Sequence, residues 1–292
     1  MSAVGKRFNL APYLFVAPFV LTFAVFTAYP LFRSIGLSTE LTFGPSATRS
    51  VGLDNYRFLL GDPLFWTAVR NTLIYTLSTL VIQLPLALGL ALALNRADLR
   101  GRTIYRLVFF APQLVGLAFL AILSSVVFQK RTGLINRALE GVFGFGLETP
   151  WLDQHVMWTL IIATLWMYVG FNMVYFLAAL QNVDREQIEA ATLDGAGPAG
   201  RFRHVTLPAI RPIAGFVVLL SVIGSLQLFE LPYLLLNGGG PDNRGLTVVS
   251  YLYQTGFELG DLGYASAIGW VLAIMLFAAA LGQRLLTGED KA

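Results

Sequence analysis

The chain has 292 residues, of which 56% are hydrophobic and 13% are charged, and its formal net charge is +3. Soluble domains carry about 25% charged residues, so most of this chain faces something other than water. It contains no cysteine, which excludes disulfides and thiol-ligated metals. The small net charge and the lack of a long basic block argue against a nucleic-acid partner.

Six apolar segments follow one another along the chain, each near the ~20 residues needed to cross a hydrocarbon core of about 30 Å. They are residues 12–32, 67–94, 104–128, 156–180, 213–236 and 264–286. Because each segment must satisfy its own backbone hydrogen bonds in lipid, the segments are expected to be helices. The sequence predicts an all-α polytopic membrane protein with six transmembrane helices in a single domain over residues 1–292.

Lys and Arg residues indicate the orientation, because they are enriched in short loops on the cytoplasmic side. With the N-terminus inside, the inner segments hold 12 of these residues and the longer outer segments hold 8. Residues 95–106 carry four arginines and are the clearest inside marker. Both termini are therefore predicted to be cytoplasmic, and so is the loop between the fourth and fifth spans.

Polar side chains within the predicted spans require a reason, because lipid offers them no partner. They are Asn71, Tyr75, Ser78 and Gln83 in the second span, Gln113 in the third, Thr164, Tyr168, Asn172 and Tyr175 in the fourth, and Ser221, Ser225, Gln227 and Glu230 in the fifth. Those of the fourth span fall on one helical stripe. Gln113 follows Pro112, where a kink is expected. Such residues either hydrogen-bond neighbouring helices or bind a polar solute, and both alternatives stay open.

A polar segment, residues 184–208, separates the fourth and fifth spans, although a turn would need only a few residues. Asp184 is expected to cap a helix that ends near Leu193. Gly195 should break that helix, and Pro198 is placed to begin a second one. The side of the first helix that would offer an apolar surface to a partner comprises Ile188, Ala191, Thr192 and Leu193.

The same segment resembles the cytoplasmic signature loop of ABC importer permeases. It reads Glu-Ala-Ala, three residues, Gly, nine residues, an aliphatic residue, any residue, then Leu-Pro. The matching positions are Glu189, Ala190, Ala191, Gly195, Val205, Leu207 and Pro208. In that family the loop forms coupling helices that dock into a cleft of the ATP-hydrolysing subunit. The resemblance implies that these residues, together with Asp194, couple the chain to an ATPase.

Segments 51–56, 237–241 and 262–267 resemble one branch of that family, the sugar-importing permeases of the maltose and glycerol-phosphate type. The resemblance extends from Tyr13 to Leu286. It implies a substrate site midway through the membrane, drawn from the third, fourth and fifth spans. The candidate residues there are Gln113, Tyr168, Asn172, Ser225, Gln227 and Glu230.

The resemblance also implies a set of partners. These are a second related permease subunit in a heterodimer, two copies of an ABC ATPase, an extracytoplasmic solute-binding protein, a sugar and membrane lipid. The chain lacks the phosphate-binding sequence Gly-x-x-x-x-Gly-Lys-Ser/Thr. No bound cofactor, catalytic residue or metal ligand is therefore expected in it, and ATP and Mg²⁺ are expected on the ATPase. The expected location is the prokaryotic inner membrane.

Two other classes of protein are possible. A secondary transporter would run on an ion gradient, with Glu230 as its proton or cation site, but no inverted repeat is evident. A membrane-embedded enzyme would need His, Cys or paired carboxylates in its spans, and these are missing. Which sugar is carried stays open. The absence of Lys and Arg well inside a span favours a neutral one.

Overall fold

The computed structural model describes residues 11–42, 48–96, 98–144 and 148–287, and this part of the chain is mostly helical. The helices are α1 (Ala11–Phe23), α2 (Tyr29–Leu37), α3 (Asp54–Gly61), α4 (Pro63–Ser78), α5 (Leu84–Leu94), α6 (Arg102–Phe110), α7 (Leu117–Val127), α8 (Leu134–Phe143), α9 (Val156–Gln181), α10 (Arg185–Leu193), α11 (Pro198–Arg201), α12 (Leu207–Leu226), α13 (Glu230–Leu236), α14 (Val248–Tyr253) and α15 (Leu262–Thr287). Strands β1 (Glu40–Thr42) and β2 (Thr48–Ser50) pair antiparallel, with Leu41 opposite Arg49.

Several of these helices are joined without a loop by single turns of different pitch. Turns of π-helix at Ala24–Ala28, Thr79–Gln83 and Phe202–Thr206 join α1 to α2, α4 to α5 and α11 to α12. A further π-turn, Gln254–Glu258, follows α14, and turns of 3₁₀-helix lie at Ala111–Leu114 and Pro241–Asn243. A π-turn inserts an extra residue into an α-helix without ending it, and such turns are frequent at functional sites.

Five continuous helical stretches in the described part of the chain are long and apolar enough to cross a membrane. They are Pro12–Leu37, Pro63–Leu94, Val156–Gln181, Pro198–Leu236 and Leu262–Leu285. A further pair, Arg102–Leu114 and Leu117–Val127, is bent by 98°. The all-α membrane class is therefore confirmed. Six spans result if the bent pair crosses as one, so the number six stays a prediction.

Two predicted spans differ from the helices found. The predicted span 104–128 is broken, because Val115 and Gly116 are in extended conformation and Pro112, just before them, cannot continue the helical hydrogen bonds. The predicted span 213–236 belongs to a helix that begins much earlier, at Pro198, and is interrupted after Leu226. The predicted cytoplasmic termini fall largely on residues 1–10 and 288–292, which lie outside the described residues.

The chain forms two compact units. The first comprises the described residues up to Gly61 together with Thr255–Trp270, and the second comprises Asp62–Gln254 and the described residues from Val271 onward. The two units are defined by the density of contacts within the chain. The single-domain organisation predicted for residues 1–292 stays a prediction.

In the first unit, polar contacts gather around β1. Arg33 donates two hydrogen bonds to the carboxylate of Glu40, each of 2.9 Å, and they lower the pKa of that carboxyl. Asn55 Nδ2 donates to the backbone oxygens of Ser38 and Glu40, both at 2.9 Å. Gly263 approaches so closely that a Cβ there would lie 1.8 Å from the Glu40 carbonyl oxygen.

In the second unit, α9 is the central helix and packs against α5, α6 and α12. One core cluster surrounds the C-terminal half of α9 and includes Met173 and Ile210. A second surrounds its N-terminal half and includes Leu160 and Leu231. Gly170 lies between them, where a Cβ would be 1.7 Å from the Phe109 carbonyl oxygen. The backbones of α9 and α6 therefore touch, as small residues allow in membrane helices.

The glycine-rich loop after α13 is held to α4 by hydrogen bonds. Asn71 Nδ2 donates to the backbone oxygens of Asn243 at 2.9 Å and Leu246 at 3.0 Å. Gly238 and Gly240 adopt positive φ of 103° and 69°, which favours glycine. Asn71 thus bonds within the chain, the first of the two alternatives for a polar residue in a span.

Candidate functional site

The segment 184–208 folds as the cap and breaker residues predict. Asp184 Oδ1 accepts a hydrogen bond from the Glu186 backbone N–H at 2.9 Å and caps α10. At the other end Gly195 has φ +79°. The Ala196 N–H bonds to the Ala191 oxygen and the Gly195 N–H to the Thr192 oxygen. This pair of bonds is a Schellman motif, which ends a helix at a left-handed residue.

The second helix of the segment continues into the next span. Pro198 is the first residue of α11, and the π-turn Phe202–Thr206 joins α11 to α12 without a break. The predicted residues Val205, Leu207 and Pro208 therefore lie within helix. Arg201 Nη1 donates to Thr192 Oγ1 at 2.8 Å and ties α11 to α10.

The two sides of α10 have different surroundings. Ile188 packs against the core cluster around α5 and α9. Leu193 has 89% of its surface exposed, so the expectation that both share one apolar side is wrong. At 100° per residue they lie about 140° apart. The exposed stripe consists of Glu186, Glu189, Ala190 and Leu193, at the spacing of one helical face.

A cavity of about 140 Å³ lies in the second unit, between the α9 residues of the two core clusters. Three stretches of the chain line it: the end of α4 with its π-turn, the middle of α9 and the end of α12. The lining residues are Tyr75, Thr79, Gln83, Tyr168, Phe171, Asn172, Leu220, Ser221, Gly224, Ser225 and Leu228.

Three of the six predicted substrate residues line this cavity, namely Tyr168, Asn172 and Ser225. The other three do not belong to its lining. Gln113 is partly buried in the 3₁₀ turn before the bend, and its Oε1 is enclosed without a hydrogen-bond partner in the described part of the chain. Gln227 and Glu230 are exposed beyond the end of α12. Glu230 lies within electrostatic range of the Tyr168 hydroxyl, close to the cavity.

Three hydroxyl groups near the cavity donate hydrogen bonds to backbone oxygens of their own helices. Thr164 Oγ1 donates to the Leu160 oxygen at 2.8 Å, and Thr79 Oγ1 donates to the Tyr75 oxygen at 3.1 Å. Ser225 Oγ donates to the Val222 oxygen at 3.0 Å. These hydroxyls satisfy their own helices, so their donors are already used.

The second span forms a wall of the cavity, although none of its residues is among the predicted substrate residues. Tyr75 and Gln83 are polar positions on about one side of that span, together with Asn71 and Ser78. The available signal was the i, i+4, i+8 spacing of Tyr75, Thr79 and Gln83. Asn71 instead binds the glycine-rich loop, and Ser78 is half-buried and donates its hydroxyl to the Ile74 oxygen.

The chain matches known proteins over most of its length. The family described as "Binding-protein-dependent transport system inner membrane component" matches residues 83–287. The arabinooligosaccharides transport system permease protein AraP of Bacillus subtilis (strain 168) is 39% identical over 283 residues, covering 96% of this chain and 90% of the relative. The lactose transport system permease protein LacF of Rhizobium radiobacter is 35% identical over 280 residues, covering 94% and 93%.

Solved structures have the same fold. A chain of a bacterial alginate ABC transporter, in complex with an alginate pentasaccharide-bound periplasmic protein, superposes with a TM-score of 0.83. It is 21% identical, and the match covers 95% of this chain and 93% of that one. At this identity the likeness establishes the fold.

Proposed function

Because the chain belongs to the family of binding-protein-dependent transport system inner membrane components, we propose that it is a transmembrane subunit of an ATP-binding-cassette importer. Its cargo is a sugar or sugar-like solute. The observation that carries this proposal is one continuous helical stretch, Pro198–Leu226, with three of the predicted coupling residues, Val205, Leu207 and Pro208, near one end and cavity-lining residues at the other. Leu207 and Ser221 are about 21 Å apart along it, at 1.5 Å per residue.

This continuity gives the loop a mechanical role. A rigid helix transmits a displacement of its end, whereas a flexible linker absorbs it. Movement of α10 and α11 by an ATPase would therefore be passed to the wall of the cavity that Ser221 and Ser225 form. The response is a change between two packed arrangements of the bundle, since close-packed interiors do not deform continuously.

The exposed stripe of α10 fits a docking surface for that ATPase. Glu186 and Glu189 offer carboxylates for ion pairs, and Leu193 offers an apolar side chain that is largely exposed in the isolated chain. Central apolar anchors rimmed by charges are the usual composition of protein interfaces. ATP and Mg²⁺ belong to the ATPase in this proposal.

The full assembly then comprises this chain, a second related permease subunit, two ATPase subunits and an extracytoplasmic binding protein that delivers the solute. The chain lies in the inner membrane with the loop 184–208 and both termini in the cytoplasm. Arabinooligosaccharides and lactose, the solutes named for two relatives, are the first candidates to screen.

Uptake of radiolabelled sugar into proteoliposomes that contain the whole complex tests this function. With sugar-loaded binding protein outside, uptake should require ATP inside and should persist when ionophores collapse the ion gradients. Uptake that continues without ATP but stops with ionophores would refute the importer and favour a secondary transporter.

A further inference from the structure

The side chain of Gln83 is brought to the cavity by a local change of helical pitch. In an α-helix, the two steps from residue 75 to 79 and from 79 to 83 would rotate the side chain by about 80° in total. The turn Thr79–Gln83 is instead π-helical, with the Leu84 N–H bonded to the Thr79 oxygen. Because a π-turn has more residues per turn, its step rotates back and realigns Gln83 with Tyr75 and Thr79. All three line the cavity.

Gln83 and Asn172 are the two amides in the lining, and most of the surface of each side chain is buried. Gln83 is 4% exposed and Asn172 is 5% exposed. Neither side chain makes a hydrogen bond within the described part of the chain, in contrast to the hydroxyls of Thr79 and Ser225. Unlike Gln113 Oε1, the amide atoms of Gln83 and Asn172 are not fully enclosed by the described part of the chain. Both amides line the cavity and can therefore form hydrogen bonds with a solute in it.

The charges around the cavity select the kind of occupant. None of its eleven lining residues is charged. A phosphate or carboxylate group would find no cation in this lining to compensate its charge. Two amides, each able to donate and accept, suit the hydroxyl groups of a neutral sugar, and Tyr75, Tyr168 and Phe171 add aromatic surface.

The size of the cavity limits how much sugar fits at once. Its 140 Å³ is below the ~300–1,000 Å³ of pockets that enclose drug-sized ligands. It holds about one sugar ring. A longer saccharide would extend beyond it.

We propose that Gln83 contacts the transported solute directly and, together with Asn172, selects one ring of a neutral sugar. This rests on the proposed importer function and adds a residue from the second span to a site expected from the third, fourth and fifth. The π-turn Thr79–Gln83 orients the Gln83 side chain toward the cavity.

The test compares Gln83→Leu with Ser78→Ala in the reconstituted complex. Ser78 lies on the same helix but outside the cavity lining, and its hydroxyl donates to the Ile74 backbone oxygen. The probes are lactose, arabinotriose and glycerol 3-phosphate. Two readouts are taken from each sample, which are ATP-driven uptake and the ATP hydrolysis stimulated by loaded binding protein.

For a neutral probe that the unaltered complex imports, Gln83→Leu should lower uptake about tenfold, the loss of one or two hydrogen bonds, while stimulated hydrolysis stays within about twofold. Ser78→Ala should leave both unchanged. Uptake by Gln83→Leu within twofold of the unaltered complex overturns the proposal. A parallel fall of uptake and hydrolysis also overturns it, because it indicates a structural role. Import of glycerol 3-phosphate at the rate of the neutral probes overturns the neutral-sugar part.

The proposed function fails in a different way. If uptake by the unaltered complex continues without ATP and stops with ionophores, the importer assignment is refuted and the substrate assignment falls with it. A defect of ATP-driven uptake confined to Gln83→Leu cannot arise in that case. The two failures are therefore distinguishable in one experiment.

Discussion

The loop 184–208 and the cavity are connected by the continuous helix that begins at Pro198, and they satisfy their polar groups in opposite ways. In the loop, the ends of α10 are closed by Asp184 and by the Schellman bonds before Gly195. Its outward side chains, such as Leu193, are largely exposed. In the cavity, side chains are enclosed by three helical stretches, but the amides of Gln83 and Asn172 make no hydrogen bond in the described chain.

The loop and the cavity should therefore respond differently to substitutions. The loop carries its own backbone structure and exposes a surface, so changes to that surface should leave the fold intact and affect only what docks there. The cavity depends on helix crossings such as that at Gly170, so small changes behind its wall should alter the bundle itself. Substitutions of glycine test this contrast, because the two regions use glycine for different reasons.

The largest effect is expected at Gly170. In Gly170→Ala the new Cβ would lie 1.7 Å from a backbone oxygen of α6, so the two helices must separate. We expect destabilisation of about 1–3 kcal/mol or more, seen as a lower thermal midpoint of the purified complex. The matched control is Gly89→Ala, an exposed helical position with open space around the new Cβ. The control should be neutral or slightly stabilising. Equal midpoints for the two variants would remove the evidence for a rigid crossing.

A smaller and different effect is expected at Gly195. A Cβ there meets nothing within 4 Å, but the residue has φ +79°, which costs a side chain roughly 1–2 kcal/mol. Gly195→Val should therefore distort the end of α10 and lower ATP-driven uptake several-fold, while the thermal midpoint of the bundle shifts less than in Gly170→Ala. Gly197→Ala, with an ordinary negative φ of −66° and open space, is the control. Normal uptake by Gly195→Val would count against the coupling role of this turn.

The smallest effect is expected at the cap of α10. Asp184→Ala removes the acceptor for the Glu186 N–H and should cost about 1 kcal/mol of local helix stability. Hydrogen exchange at the first amides of α10 should accelerate about fivefold, with no change in α9. If exchange accelerates across α9 as well, the loop does not fold as an independent local unit.

The same contrast explains how far each region could be predicted from the sequence. The helix bounds in the loop follow from Asp184, Gly195 and Pro198, whose effects reach at most five residues along the chain. These local signals do not predict which side of α10 each apolar side chain occupies. Ile188 and Leu193 both look apolar, but their angular separation and the position of the core decide that Ile188 packs inward.

The cavity could be predicted only in part. The stripe of Tyr168 and Asn172 on one helix and the position of Ser225 gave three of its lining residues. Gln227 and Glu230 are exposed outside the lining, whereas Leu228 between them belongs to it, and the π-turn Thr79–Gln83 realigns Gln83 with Tyr75. Such departures depend on packing against other helices, which a single-sequence pattern does not contain.

The central claim, that α10 docks on an ATPase, is tested most directly by site-specific cross-linking. The chain has no natural cysteine, so Leu193→Cys provides a single attachment point for a thiol-reactive photo-cross-linker, and Val142→Cys, at a position 77% exposed on α8, is the control. After irradiation of the complex, we expect an adduct between the permease and the ATPase subunit from position 193 and none from position 142. An adduct only from position 142, or none from either with the ATPase present, would contradict the account.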